Sequence, residues 1–130
     1  MTRTDVSPWE WSKAFGFSQA VEIRGAEGLL LCSGQTAIAE DGSPPVTTDL
    51  GEQVKIAFQN LGAVLRAAGL SASEVVKVNY YTTEVDELIA VLGPIASEFF
   101  GDNLPASTLL GVGRLAFPQL KIEIEATAAR

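Results

Sequence analysis

The chain has no histidine and a single cysteine among its 130 residues. No intrachain disulfide can form, and zinc and copper sites, which draw on imidazole and thiolate ligands, are disfavoured. Serine–histidine–aspartate and cysteine–histidine catalysis are excluded. Acid–base chemistry must fall to carboxylates, lysine, tyrosine, backbone groups or water. Positive charge is also scarce. Nine Lys and Arg stand against 16 Asp and Glu, a formal net charge of -7, and the sequence pI is about 4.5. No basic cluster offsets this locally, so a phosphate backbone is repelled and nucleic acid is not an expected partner. No apolar run approaches the ~20 residues needed to cross a bilayer. The opening Met1-Thr2-Arg3-Thr4-Asp5 lacks the apolar centre of a signal peptide. A cytoplasmic protein without membrane contact is expected.

Apolar residues, by contrast, are plentiful. They make up 47% of the chain, with 19% charged, and mean hydropathy is +0.22. One domain spanning 1–130 is expected from the length. So rich a composition for a small domain implies that some apolar surface is buried between subunits. Residues 1–16, with Pro8, Trp9 and Trp11, show no clean period and read as an ordered arm whose Trp rings pack on the body. From Ser18 the pattern alternates like a strand, and Gly25 to Gly28 turns the chain. Leu29 to Cys32 is an apolar run suited to a strand buried on both faces. Asp41-Gly42 with Pro44-Pro45 marks a loop.

Asp49-Leu50-Gly51-Glu52 reads as a capping box. After it, Leu50, Val54, Phe58, Leu61, Leu65 and Ala68 recur at helical spacing, and Gly69 closes the helix. Val75 to Tyr81 is a strand. Asp86 to Phe100 is a second helix, with Pro94 either in its first turn or kinking it. Ser107 to Leu115 is a strand, Phe117-Pro118-Gln119 a turn, and Leu120 to Ala128 a last strand. Leu120, Ile122, Ile124 and Ala126 share one face of that strand; Lys121, Glu123, Glu125 and Thr127 share the other. The order predicts a two-layer α+β fold, a mixed sheet with two helices on one face. The uncovered face of the sheet should then meet another copy of the chain.

Three features have plain readings. Cys32, inside an apolar run, is an inert buried residue. Gly111-Val112-Gly113-Arg114-Leu115-Ala116 matches a dinucleotide-binding pattern, but a turn and a strand follow it where a helix is required, so it is rejected. Lys77 is an exposed strand residue and not a Schiff-base lysine.

Gly16-Phe17-Ser18-Gln19-Ala20-Val21, Ser33-Gly34-Gln35, Gln59-Asn60-Leu61 and Ala67-Ala68-Gly69 occur in that order. Val75-Val76-Lys77, Pro105-Ala106-Ser107-Thr108 and Ile122-Glu123-Ile124-Glu125-Ala126 follow. In this order and spacing the chain resembles the Rid family (reactive intermediate/imine deaminase, YjgF-like), from about Pro8 to Ala128. The resemblance implies a chorismate-mutase-like fold and a homotrimer with a central β-barrel-like core. It also implies a small-molecule ligand in clefts between subunits. Recognised members hydrolyse 2-imino or enamine acids, the products of PLP-dependent dehydratases, to 2-keto acids and ammonia. They use no metal and no organic cofactor.

Carried over position by position, the family's water-positioning glutamate falls on Glu123. By itself, a carboxylate on an exposed strand face is a solvated surface charge; the resemblance gives it a pocket role as the catalytic residue. Ser33 and Gly34 match the cleft segment, where a glycine lets a ligand approach backbone N–H groups; a turn or bulge is the other reading. The family's aromatic hydroxyl position is Phe17, which walls the cleft without the hydroxyl. Leu109 takes the place of a small residue or cysteine. The Arg that binds the substrate carboxylate, in the pattern Pro-Ala-Arg-Ser/Thr, is replaced by Ser107. Ser107 is either a hydroxyl donor to a ligand or a small residue tolerated after the loss. The opening Ser7-Pro8-Trp9-Glu10 resembles a divergent subgroup that also lacks this Arg.

The replacement has a magnitude. Each hydrogen bond to a charged group contributes roughly 1.5–3 kcal/mol, and a decade of binding corresponds to about 1.4 kcal/mol. Loss of a bidentate Arg–carboxylate fork should weaken an imino-acid ligand by very roughly 10²-fold or more. Glu123 would also face the substrate carboxylate without a compensating cation, and like charges in a partly desolvated cleft repel. Either the ligand is neutral or differently shaped, or a neighbouring subunit supplies a cation from Arg24, Arg114 or Lys77. Arg114 fits a strand position and also carries a structural reading. Glu125 reads as a structural or interface charge. Three readings follow: a Rid-like hydrolase of an imine, enamine or related electrophile, a non-catalytic ligand-binding trimer, and a chaperone-like interaction protein.

Overall fold

Strict alternation along the last strand organises the molecule. The structure, a computed structural model, describes all 130 residues. In chain order its elements are β1 (Thr2–Asp5), β2 (Val21–Arg24), β3 (Leu29–Gln35), α1 (Leu50–Ala67), β4 (Val75–Thr82), α2 (Val85–Phe100), β5 (Ala106–Gly111) and β6 (Ile122–Ala129). Short 3-10 helices cover Trp11–Phe15 and Ala72–Glu74. Four strands form a mixed sheet in the order β3-β6-β4-β5; β6 runs antiparallel to both neighbours, and β4 and β5 are parallel. Ile122, Ile124, Ala126 and Ala128 of β6 point into the core with Val75, Val78 and Tyr80 of β4. Both helices pack on that face, so the fold is the expected two-layer α+β arrangement. No helix is long and apolar enough to cross a membrane.

The helices follow their sequence pattern. Asp49 caps α1 by accepting from the Glu52 amide at 2.9 Å, which satisfies one of the free donors of the first turn. The reciprocal half of the capping box does not form: the Glu52 carboxylate instead accepts from the Thr47 hydroxyl at 2.7 Å. Leu50, Val54, Phe58, Leu61 and Leu65 are buried along one stripe. In α2 the stripe is Leu88, Leu92, Ala96 and Phe100. Phe58 joins the layers, with ring centroids 4.7 Å from Phe99, 5.6 Å from Phe100 and 6.2 Å from Tyr80. Pro94 sits inside α2, and the helix runs through it. The proline is exposed, so its missing N–H falls on the solvent side.

Four expectations are corrected. The arm contains a strand: β1 pairs antiparallel with β2, Thr2 opposite Arg24 and Asp5 opposite Val21. Four mostly exposed polar residues carry no alternation to read. What anchors them is Arg3, whose guanidinium donates to four carbonyls, those of Ser73, Val75, Asn103 and Leu104, at 2.6–3.1 Å. Trp9 does not pack on the body and is 62% exposed. The Leu29–Cys32 run is not buried on both faces. Leu29 and Leu31 are 65% and 75% exposed within the single chain, because only the other face of β3 meets a helix. Finally β5 ends at Gly111 rather than Leu115. Gly111 and Gly113, poor strand residues, leave Arg114 in the exposed connection to β6.

One buried side chain fixes where β6 begins. Gln53, on α1, is fully buried. Its amide N–H₂ donates to Thr47 O at 3.0 Å and Gln119 O at 2.8 Å, and its carbonyl accepts from the Lys121 amide at 2.9 Å. Gln53→Leu keeps the volume but leaves two carbonyls and one N–H without partners. It should cost about 2–4 kcal/mol of stability. Urea denaturation at fixed protein concentration, with an unchanged denaturant slope, is the measurement.

Candidate functional site

The sheet divides the residues singled out above into two groups. Glu123 is paired with Tyr81 of β4 and lies on the face turned away from the helices. Beside it, β3 carries an irregularity between Cys32 and Gln35. The extra backbone there brings Ser33 and Gly34 to the same face. A Cβ built on Gly34 would come 2.1 Å from Glu123 Oε1 and 2.6 Å from its carboxyl carbon. Only a residue without a Cβ lets the carboxylate lie across the strand at this point. The glycine is thus a close-approach residue as well as part of a bulge.

Two residues along β6, Glu125 has a different environment. Its carboxylate accepts from Asn79 Nδ2 and from the Tyr81 hydroxyl, both at 3.0 Å. The Asn79 and Tyr81 hydrogen bonds hold its pKa below the usual carboxylate range, and the same bond raises that of the Tyr81 phenol. Glu125 is tied into the cross-strand polar set of this face. Glu123 makes no such side-chain bond, which leaves its oxygens available to a water or ligand.

The second group lies on the helix side. Ser107 pairs with Val78 and Leu109 with Tyr80, both core residues, so the two side chains point toward α2. With Phe17 they line a cavity of about 470 Å³. Trp11, Phe15 and Ile89 complete its outer wall. Trp11 makes edge contacts with Phe15 at 6.3 Å and Phe17 at 5.8 Å between ring centroids. None of the nine lining residues is charged.

Two glycines set this wall. A Cβ on Gly93, in the middle of α2, would lie 2.4 Å from the Ala14 carbonyl oxygen. At Gly16 the backbone is left-handed, with φ +77°, and a Cβ would lie 2.8 Å from that of Ala96. The Trp11–Phe15 turn therefore rests directly on the helix backbone, and Gly16 closes it with its amide donating to Lys13 O. Below the cavity, the Ser18 amide donates to Pro105 O at 2.9 Å and its hydroxyl to Leu104 O at 2.7 Å. These bonds tie the aromatic segment to the loop that leads into β5.

One chain does not unite the two groups. Ser107 and Glu123 point to opposite faces of the sheet. They are also three residue pairs apart along it, about 10 Å at the rise of a strand. A site using both needs a second copy of the chain. Arg114 belongs to neither group. It is exposed in the connection that follows β5, away from the strand position expected for it. Arg24 is engaged with Glu22 at 2.8 Å. The Lys77 ammonium donates to Thr108 on the open sheet face. From sequence Trp11 is expected only to pack on the body, and Phe15 and Ile89 carry no site reading. The cluster of aromatics at 11, 15 and 17 was the available signal, and Gly93 inside a helix marked the surface it rests on.

Comparison with known proteins places this arrangement. The family model described as Endoribonuclease L-PSP matches residues 10–130. The mitochondrial protein mmf2 of Schizosaccharomyces pombe is 34% identical over 131 residues, covering 99% of each chain. A protein of Dermatophagoides farinae named 2-iminobutanoate/2-iminopropanoate deaminase is 32% identical over 109 residues, 84% of this chain and 81% of its own. Among solved structures, the Rid-family protein YyfB of Yersinia pestis superposes with a TM-score of 0.88 at 34% identity, covering all of both chains. With the family model matched over residues 10–130 and a Rid-family structure superposed over the whole chain, this protein belongs to the Rid (YjgF/RutC) family.

Proposed function

We propose that the protein is a cofactor-independent hydrolase of an imine, enamine or related small electrophile, working in clefts between the subunits of a homotrimer. The observation that carries this is the contrast between two carboxylates on one strand face. Glu125 is paired with Asn79 and Tyr81, whereas Glu123 lies free across Gly34. Glu123 holds a water and accepts one of its protons as the water oxygen bonds to the imine carbon. That proton passes to nitrogen, giving a carbinolamine; the hydroxyl proton then follows to the same nitrogen by way of Glu123 as the carbon–nitrogen bond breaks, and a carbonyl compound and ammonia leave. The site is closed by the Phe17, Ser107 and Leu109 wall of a neighbouring subunit. This division follows from the opposite facing of the two groups in one chain. The exposed Leu29, Leu31 and Leu110 on the open sheet face supply apolar surface for the subunit contact. A cytosolic location is part of the proposal; since mmf2 is named for the mitochondrion, cell fractionation is its check.

Ser107 sets the substrate range, because no cation stands where a 2-imino acid carboxylate would bind. A ligand-binding trimer without chemistry is the second reading, and it is favoured by that same substitution.

Three outcomes are expected. Purified wild-type protein, coupled to an amino-acid oxidase that generates 2-iminobutanoate and followed by semicarbazide trapping, should leave the decay of the imine unchanged. Ser107→Arg should speed that decay by roughly 10²-fold, the worth of the restored fork, and adding Glu123→Gln or Gly34→Ala to it should remove the gain. Rapid decay with the wild-type protein would overturn the reading of Ser107. A silent Ser107→Arg would shift the weight to Phe17 and Leu109, and a gain that survives Glu123→Gln would remove the carboxylate from the mechanism. Light scattering should give three times the 13.7 kDa chain mass; a monomer would remove the cleft.

A further inference from the structure

The cavity beside Ser107 has more in it than a missing cation. Its wall is built mainly from rings and branched aliphatic chains, namely Trp11, Phe15, Phe17, Ile89 and Leu109. Trp11, Phe15 and Ile89 remain 57%, 46% and 46% exposed, although large apolar side chains grouped at the mouth of a cavity are ordinarily covered by something. The polar handle among the lining side chains is the half-buried Ser107 hydroxyl. Nearby charges do not favour an anion. Lys13, in the turn that carries Trp11, is engaged with Glu10 at 2.9 Å. The N-terminus of α2, whose dipole would attract an anion, already has Asp86 and Glu87 in its first turn.

From these features we infer that the cavity selects an uncharged ligand with an aromatic body and a single hydrogen-bonding group that meets Ser107. Three aromatic rings and a neutral hydroxyl form a wall on which a flat apolar body gains contact area beside a hydrogen bond. A carboxylate placed there would be desolvated without a partner. The wall is also held in advance of binding by Gly93 against Ala14 and Gly16 against Ala96. The inference rests on the proposed role of this cavity as the ligand wall of the cleft, and it replaces an amino-acid-derived substrate by a neutral aromatic one.

The test uses a matched pair of probes, 3-phenylpropanamide and 3-phenylpropanoate, which share a skeleton and differ in charge. Calorimetric titration of the wild-type protein should show the amide binding more tightly by roughly tenfold or more. Ser107→Arg should reverse the order, because the guanidinium pairs with the carboxylate. Of the two tryptophan indole N–H signals in a nitrogen-15 spectrum, Trp11 should move on adding the amide and Trp9 should not; Trp11→Phe assigns them. Leu109→Asn, a milder change than removing a ring, should weaken binding of the amide. Equal or tighter binding of the carboxylate to wild type would overturn the inference. So would movement of Trp9 instead of Trp11, or no binding of the amide up to about 10 mM, a weak limit for a ligand of this size. The hydrolase proposal fails separately. Amide selectivity without Glu123-dependent imine hydrolysis leaves the specificity and removes the enzyme, and hydrolysis without amide selectivity does the reverse.

Discussion

The amide of Gln53 is the contact on which the arrangement of the sheet depends. It is buried in α1 and holds three backbone groups, at 47, 119 and 121. Two of them belong to the approach of β6. A strand that alternates with period two has no tolerance for a slip of one residue, because every side chain would change faces. Ile122 and Ile124 would then meet solvent, and Glu123 would be driven into a core with no partner for a charge. Helix and strand thus agree on a single register through one neutral side chain. That register delivers the carboxylate to the open face and the isoleucines to the helices.

From that register the rest of the site follows by geometry. β6 pairs with β3 on one side and β4 on the other. Gly34 lies beside Glu123 because β3 is irregular there, and Glu125 finds Asn79 and Tyr81 because β4 is regular there. Across β4, the parallel pairing of β5 sends Ser107 and Leu109 to the helix side. The sheet is therefore a partition. One surface offers a free carboxylate over bare backbone, and the other offers an aromatic recess. Chemistry and recognition are carried by different faces of the same four strands.

How much of this could be read from the sequence depended on whether the signal was local. Alternation in 120–128 and the stripes of both helices were legible because burial repeats with the period of the element. The Leu29–Cys32 run suggests a strand buried on both faces. Its apolar character is real, but the single chain covers only one side, and an apolar run does not say whose atoms complete the other. β1 escaped notice because its four residues have no inward face; Arg3 secures it through carbonyls some 70 to 100 positions away. The Gly34–Glu123 and Gly93–Ala14 approaches were illegible for the same reason. A glycine in sequence shows that a Cβ is missing, not what fills its space. The family resemblance named Phe17, Ser107 and Leu109 together, but Trp11 and Ile89 join them only because a 3-10 turn rests on α2. Arg114 lost its expected place when two glycines ended β5 early.

Gly93 has a consequence for how such a protein can change over time. Because the helix has no side chain there, the Trp11–Phe15 turn lies on it as part of a separate leaf, secured by the Arg3 clamp and the Ser18 bonds. The aromatic rings on this leaf line the recess, and of the buried core cluster only Leu92 shares it. Substitutions among them can redraw the outline of the recess while the interior keeps its packing. Ligand preference and folding are then nearly separate properties of one small chain, free to drift at different speeds.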